Sequence, residues 1–216
     1  MKAEDLIQII RDELKSVNQL ILNHKFIIDA ENGELPLAAF KTFVSQEYYI
    51  VYHDARSLAL MASGARYYDE FEFFLELSKS DGDALKLLEK MGKSLGLDVL
   101  SLKNVKVIPE AVAYTHYLAW LALYGNPGMQ AIALIINLPV WGSNCKKLSN
   151  ALKNKYGINE TGFLDLFAQP YGESETKGAK IIERYLDDVE DLKNVSRIIQ
   201  KYELMFWDAI YKEAYL

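Results

Sequence analysis

Residues 36–64 read PLAAFKTFVSQEYYIVYHDARSLALMASG. Phe43, Val44, Ile50 and Val51 recur at helical spacing, and positions three, four and seven apart share one side of a helix. Pro36 suits a first helical turn after the turn-like ENGEL. The stretch predicts one long helix from about 36 to 64. Glu47 and Asp54 fall on its apolar stripe, not on a polar face. A carboxylate there is costly unless it is paired, hydrogen-bonded or protonated.

The same period governs the chain on either side, and period-two alternation is nearly absent. Leu6, Ile9, Ile10, Leu14 and Val17 mark a first amphipathic segment. Helices are expected over 67–79 and 81–95, split at SDGD, with 97–108 as a connection. Pro109 opens another that ends at YGNPG, and the next runs from Pro127 or Gly128 to about residue 155. A short helix ending at QPYG and two more over 174–190 and 192–214 complete the chain. With no linker and no repeat, residues 1–216 read as a single all-α domain.

Half of the 216 residues are hydrophobic, enough for a sizeable core. The net charge of −6, with no concentrated basic surface, argues against nucleic acid as partner. One cysteine excludes an internal disulfide and a Cys-based metal site. The most apolar run, GMQAIALIINLPVWG, is too short to span a bilayer. The expectation is a cytoplasmic protein that engages no membrane. His24, His53 and His116 form no HExxH or ExxH pattern, so no metal site and no cofactor is expected.

Glu203 repeats the anomaly of Glu47, because it shares a face with Ile199, Phe206 and Ile210. Two such carboxyls on separate helices suit either a polar cavity or structural partners such as an arginine or a tyrosine hydroxyl. The fourteen tyrosines can pack a wall and still offer hydroxyls. In IINLPVWGSNC, Pro139 frees the carbonyl of Ile135 and predicts a kink. Asn137, Val140 and Asn144 share a face there. That face suits a ligand pocket or a bend with local hydrogen bonds.

The ordered pieces His24-Lys25-Phe26, Gly33-Glu34-Leu35-Pro36, Phe40 and Gln46-Glu47 resemble the opening of the TenA family, the thiaminase II group. The likeness continues through Tyr114-Thr115, Leu138-Pro139, Pro170-Tyr171-Gly172 and YELMFWDAIY at 202–211. It implies a haem-oxygenase-like multi-helix bundle, a homotetramer, and a pocket for a small heterocycle, the aminopyrimidine half of thiamin. It implies an aminohydrolase of thiamin salvage, with Glu47 reading the aminopyrimidine edge, Glu203 as acid/base group, and Tyr114 and Tyr171 in the pocket. Ile50, Val140 and Asn144 are then wall positions. The family's tyrosine is Ile50 here, its catalytic cysteine is Val140, and a second tyrosine is Asn144. Cys145 lies about 140° around an ideal helix from Val140. Such a chain hydrolyses an aminopyrimidine with water as nucleophile, or is a non-catalytic binding or regulatory homologue. A cofactor-free oxidase of the same fold is the third reading.

Overall fold

The structure is a computed structural model, described here for residues 1–215. Among these the chain is helical with no strand. The long predicted helix is α4, Leu37–Gly64, with Pro36 as its N-cap. Three short helices precede it: α1 Ala3–Glu13, α2 Lys15–Leu22 and α3 Lys25–Asn32. Leu14 breaks the first amphipathic segment in two. The ring of His24 accepts the Phe26 N–H and caps α3. Gly33 ends α3 with φ 79°, a left-handed conformation that glycine adopts freely.

After α4 the chain turns back as α5, Tyr68–Ser94. The expected split at SDGD does not occur. A Cβ at Gly82 would meet nothing within 4 Å, so this glycine fills no tight contact. Its cost in a helix, about 1 kcal/mol, is offset by the burial of Phe73, Phe74, Ala84 and Leu88 on either side. The connection that follows holds a short helix α6, Val99–Lys103. Then come α7 Pro109–Tyr124, α8 Pro127–Lys155, α9 Gly162–Phe167, α10 Gly172–Ile182, a 3₁₀ segment Glu183–Asp188 and α11 Val189–Glu213. Of the two expected C-terminal helices the second is present as α11, while the first stops at Ile182 and gives way to the 3₁₀ segment, where Tyr185 leaves helical geometry.

Helix α4 packs along α5 and α7, and α11 packs along α7 and α8. An aromatic cluster fills the core between them: Phe43 stacks on Trp207 at 6.0 Å and on Trp141 at 6.1 Å. Helix α8 continues through Pro139. The Ile135 carbonyl, which proline leaves without its helical partner, accepts from Arg11 Nη2 at 3.4 Å.

One glycine positions the site directly. A Cβ at Gly142 would lie 2.7 Å from the Tyr171 ring and would also clash with the Phe167 carbonyl. Its absence lets the segment joining α9 to α10 press against α8. The Tyr171 hydroxyl then donates to the Phe167 carbonyl at 2.6 Å, which fixes the ring.

Candidate active site

A cavity of about 260 Å³ lies among α4, α5, α7, α8 and α11. Of the residues singled out from the sequence, Glu47, Ile50, Tyr114, Tyr171 and Glu203 all line it. Its apolar wall includes Trp141, Phe167 and Phe206. Gln169 and Pro170, both exposed, stand at its mouth.

Val140 and Asn144 do not line this cavity, contrary to the expectation. Helix α8 presents Leu134, Asn137, Leu138 and Trp141 to it instead. On an ideal helix Val140 and Asn144 point roughly 70–110° away from that face. Asn144 is fully buried and donates from Nδ2 to the Ile21 carbonyl at 3.1 Å, tying α8 to α2. Cys145 is also buried and lies off the lining. Burial pushes its thiol well up, and Glu47 and Glu203 add to the effect. It is thus a thiol at neutral pH, not a nucleophilic thiolate.

Glu203 is 2% exposed and sits at the end of a hydrogen-bonded chain. Tyr114 donates to Asn137 Oδ1 at 3.1 Å, and Asn137 Nδ2 donates to Glu203 Oε2 at 2.6 Å. Trp207 Nε1 donates to Oε1 at 3.3 Å from the next turn of α11. Burial raises the Glu203 carboxyl to about 8, and the bonds from Trp207 and Asn137 limit the rise. Asn137 also donates to Gln200 Oε1 at 2.9 Å, which fixes its amide orientation.

Glu47 is 4% exposed and faces the cavity. Among the described residues no hydrogen bond reaches its carboxyl. Burial first, and then the charges of Asp54, Asp81 and Glu203, push it well above the usual carboxylate range. In its neutral form Glu47 carries one O–H donor and acceptor sites on a side chain that lines the void.

Two further carboxyls belong to the cavity. Asp54 is 8% exposed and accepts from the Thr115 hydroxyl. Burial raises it to about 7, against the opposing effect of that bond. Its place on the apolar stripe of α4 was visible in the sequence. Asp81 was missed, because SDGD resembled a helix break. Burial and then Asp54 push it well up, although it keeps partial contact with solvent at the cavity edge.

The histidines lie elsewhere: His24 meets Asp208 at 3.1 Å, while Tyr49 separates His53 from His116. No group of three or more His, Cys, Asp or Glu among the described residues has the arrangement of a metal site.

Such a cavity combines a hydrogen-bonded carboxyl raised to about 8 with an unpartnered carboxyl that faces the void. The sequence model of the TENA/THI-4/PQQC family matches residues 11–213. The chain belongs to this family. It is 24% identical over 206 residues to a Schizosaccharomyces pombe protein whose assigned name is hydroxymethylpyrimidine/phosphomethylpyrimidine kinase 2. That match takes in 89% of this chain but 36% of the yeast protein, so the chain spans about a third of its relative's length. A TenA homologue from Pyrococcus horikoshii superposes with TM-score 0.82 at 21% identity, covering 96% of this chain and 98% of that one. A Shewanella denitrificans domain with a haem oxygenase-like fold superposes with TM-score 0.79 at 17% identity, covering 99% and 93%. The chain therefore has the haem-oxygenase-like all-α fold. No described helix is long and apolar enough to cross a membrane.

Proposed function

We propose that the cavity binds an aminopyrimidine and that the protein is an aminopyrimidine aminohydrolase of thiamin salvage, working without a cysteine nucleophile. The observation that carries this reading is the pair of buried carboxyls facing one void, Glu203 held by Asn137 and Trp207, and Glu47 held by nothing. Family membership and the hydroxymethylpyrimidine in the yeast relative's name support it.

The aminopyrimidine edge offers an amino donor beside a ring-nitrogen acceptor. Neutral Glu47 has the complementary acceptor and donor. With the ring bound there, Glu203 serves the reacting substituent. Near neutral pH it holds a proton to give to the departing amine, and its conjugate carboxylate accepts one from the incoming water. The C–N bond of the aminomethyl group breaks, a C–O bond forms from water, and ammonia leaves. The Tyr114–Asn137 chain keeps the Glu203 carboxyl aimed without supplying a charge. Trp141, Phe167 and Phe206 provide the apolar faces that a flat ring needs.

The test is ammonia release from 4-amino-5-aminomethyl-2-methylpyrimidine, beside calorimetric binding of its hydroxymethyl product. The wild-type chain is expected to bind the product and turn over the amine. Glu203→Gln is expected to lose about 10²–10⁴-fold in rate while still binding the product. Binding without turnover would favour the second reading, a ligand-binding homologue. Val140 at the position of the family's cysteine, and Cys145 buried off the lining, are the observations on that side.

The same reading carries a homotetramer, for which the outer face of α7 leaves Trp120, Leu123 and Tyr124 exposed. Light scattering at micromolar concentration should return four times the chain mass. It also carries a cytoplasmic setting, where the single thiol stays reduced.

A further inference from the structure

We propose that Asp54 and Asp81 form a second subsite in the cavity, which takes the positively charged amine or ammonium group of an extended ligand whose head lies at Glu47 and Glu203. The inference rests on the aminopyrimidine reading for the head, and on separate residues for the cation.

The geometry follows from the register of α4 against α5. The Ser78 hydroxyl donates to the Ala55 carbonyl at 2.8 Å, and the Tyr48 hydroxyl donates to Glu89 Oε1 at 3.1 Å. These bonds bracket an antiparallel register in which Asp81 stands level with Asp54. Both residues line the cavity. Glu47 is seven residues earlier on the same face of α4, which is two turns or about 10 Å along the axis. Glu47 and the Asp54–Asp81 pair thus line the cavity at two levels of α4.

Among the described residues neither level has a countercharge in the cavity. The titratable groups lining the cavity around Asp54 are Glu47 from its own helix, Asp81 from α5, Tyr114 from α7, Tyr171 from the α9–α10 connection and Glu203 from α11. None is basic, and among the described residues no Lys, Arg or His lines the cavity. Four carboxyls that share a void without a cation are held partly protonated by burial and mutual repulsion. Nine-tenths-buried Glu47, without a hydrogen bond and facing the void, shows that the set is not satisfied from within. A cationic group supplies what the protein omits, and each carboxyl that ionises gives a charge-assisted bond. Thr115 keeps one Asp54 oxygen fixed and leaves the other for the ligand. Partial exposure of Ser80 and Asp81 gives this level access to the ligand.

The test uses three probes with the intact chain: the bare aminopyrimidine head, the head carrying a terminal aminoalkyl chain, and its hydroxyalkyl twin of equal length. Titration calorimetry at pH 7 is expected to give the aminoalkyl compound an affinity about tenfold above its twin. In Asp54→Asn/Asp81→Asn that preference, read as the ratio of the two twins' affinities, should vanish. Asp81→Asn alone, at a partly exposed position, should reduce the preference and serves if the double variant misfolds. Equal affinity of the two twins for wild-type protein would overturn the proposal, as would a preference that survives both variants. Failure of the bare head to bind, with hexylammonium still bound and lost on Asp54→Asn/Asp81→Asn, would remove the heterocycle reading and leave the cation subsite standing.

Discussion

Glu47 and Glu70 are both buried glutamates on long adjacent helices, and they do opposite things. Glu70 is fully buried at the start of α5. It accepts from the backbone N–H groups of Arg66 and Tyr67 at 3.0 and 3.2 Å, and from Arg184 and Tyr185 at 3.2 and 3.1 Å. Those bonds tie the α4–α5 turn to the segment before α11. Glu47 is almost as buried and has no such partner. Burial therefore does not tell the two apart; the absence of partners beside a void does.

The comparison is broken first at Glu70. Glu70→Ala should lose about 3 kcal/mol of unfolding free energy in urea, because it strands several donors at once. Arg184 keeps Asp69 and part of its hydration, so the loss comes from the stranded donors more than from a stranded charge. A loss no larger than that of a surface substitution would show that the four bonds add nothing.

Glu47→Gln is the opposite case. The amide replaces a carboxyl whose charged form burial disfavours, so unfolding free energy at pH 7 should stay level or rise. Glu47→Leu, which removes both the acceptor and the donor, should weaken binding of the hydroxymethylpyrimidine product by about 10–100-fold, whereas the amide of Glu47→Gln, which keeps both, should hold it within about tenfold. A Glu47→Leu chain that binds normally, or a Glu47→Gln chain that unfolds as readily as Glu70→Ala, would erase the distinction.

The third measurement sharpens it through pH. Asp54 and Glu203 are raised to about 7 and about 8 in the folded chain. Between the ordinary carboxylate range and those values the folded state holds more protons than the unfolded one. Their contribution is complete at acid pH and is lost as pH rises through about 5 to 8. Each fully shifted group gives a slope of about 1.4 kcal/mol per pH unit. Glu203→Gln should remove its share of that slope, as read by urea midpoints from pH 5 to 8. An unchanged slope would place Glu203 in contact with water.

The helices were legible because their signal is local. Leu37–Gly64, Pro109–Tyr124 and Pro127–Lys155 match the pattern read from periodicity and proline. The α5 break was misread, because glycine and aspartate propensities count against a helix by about 1 kcal/mol or less, while packing on α4 was invisible. Gly142 is another case: its role depends on Phe167 and Tyr171 arriving from another segment.

The sequence by itself determined an all-α chain with Glu47, Asp54 and Glu203 on apolar faces, since a face is fixed by spacing within one helix. Only the tertiary structure decided which of these carboxyls share a void. It brought in Asp81, turned Val140 and Asn144 away, and gave Glu70 an arginine 114 residues distant. A partner across the fold follows from how helices rotate and pack against one another. No period along a single helix encodes that rotation.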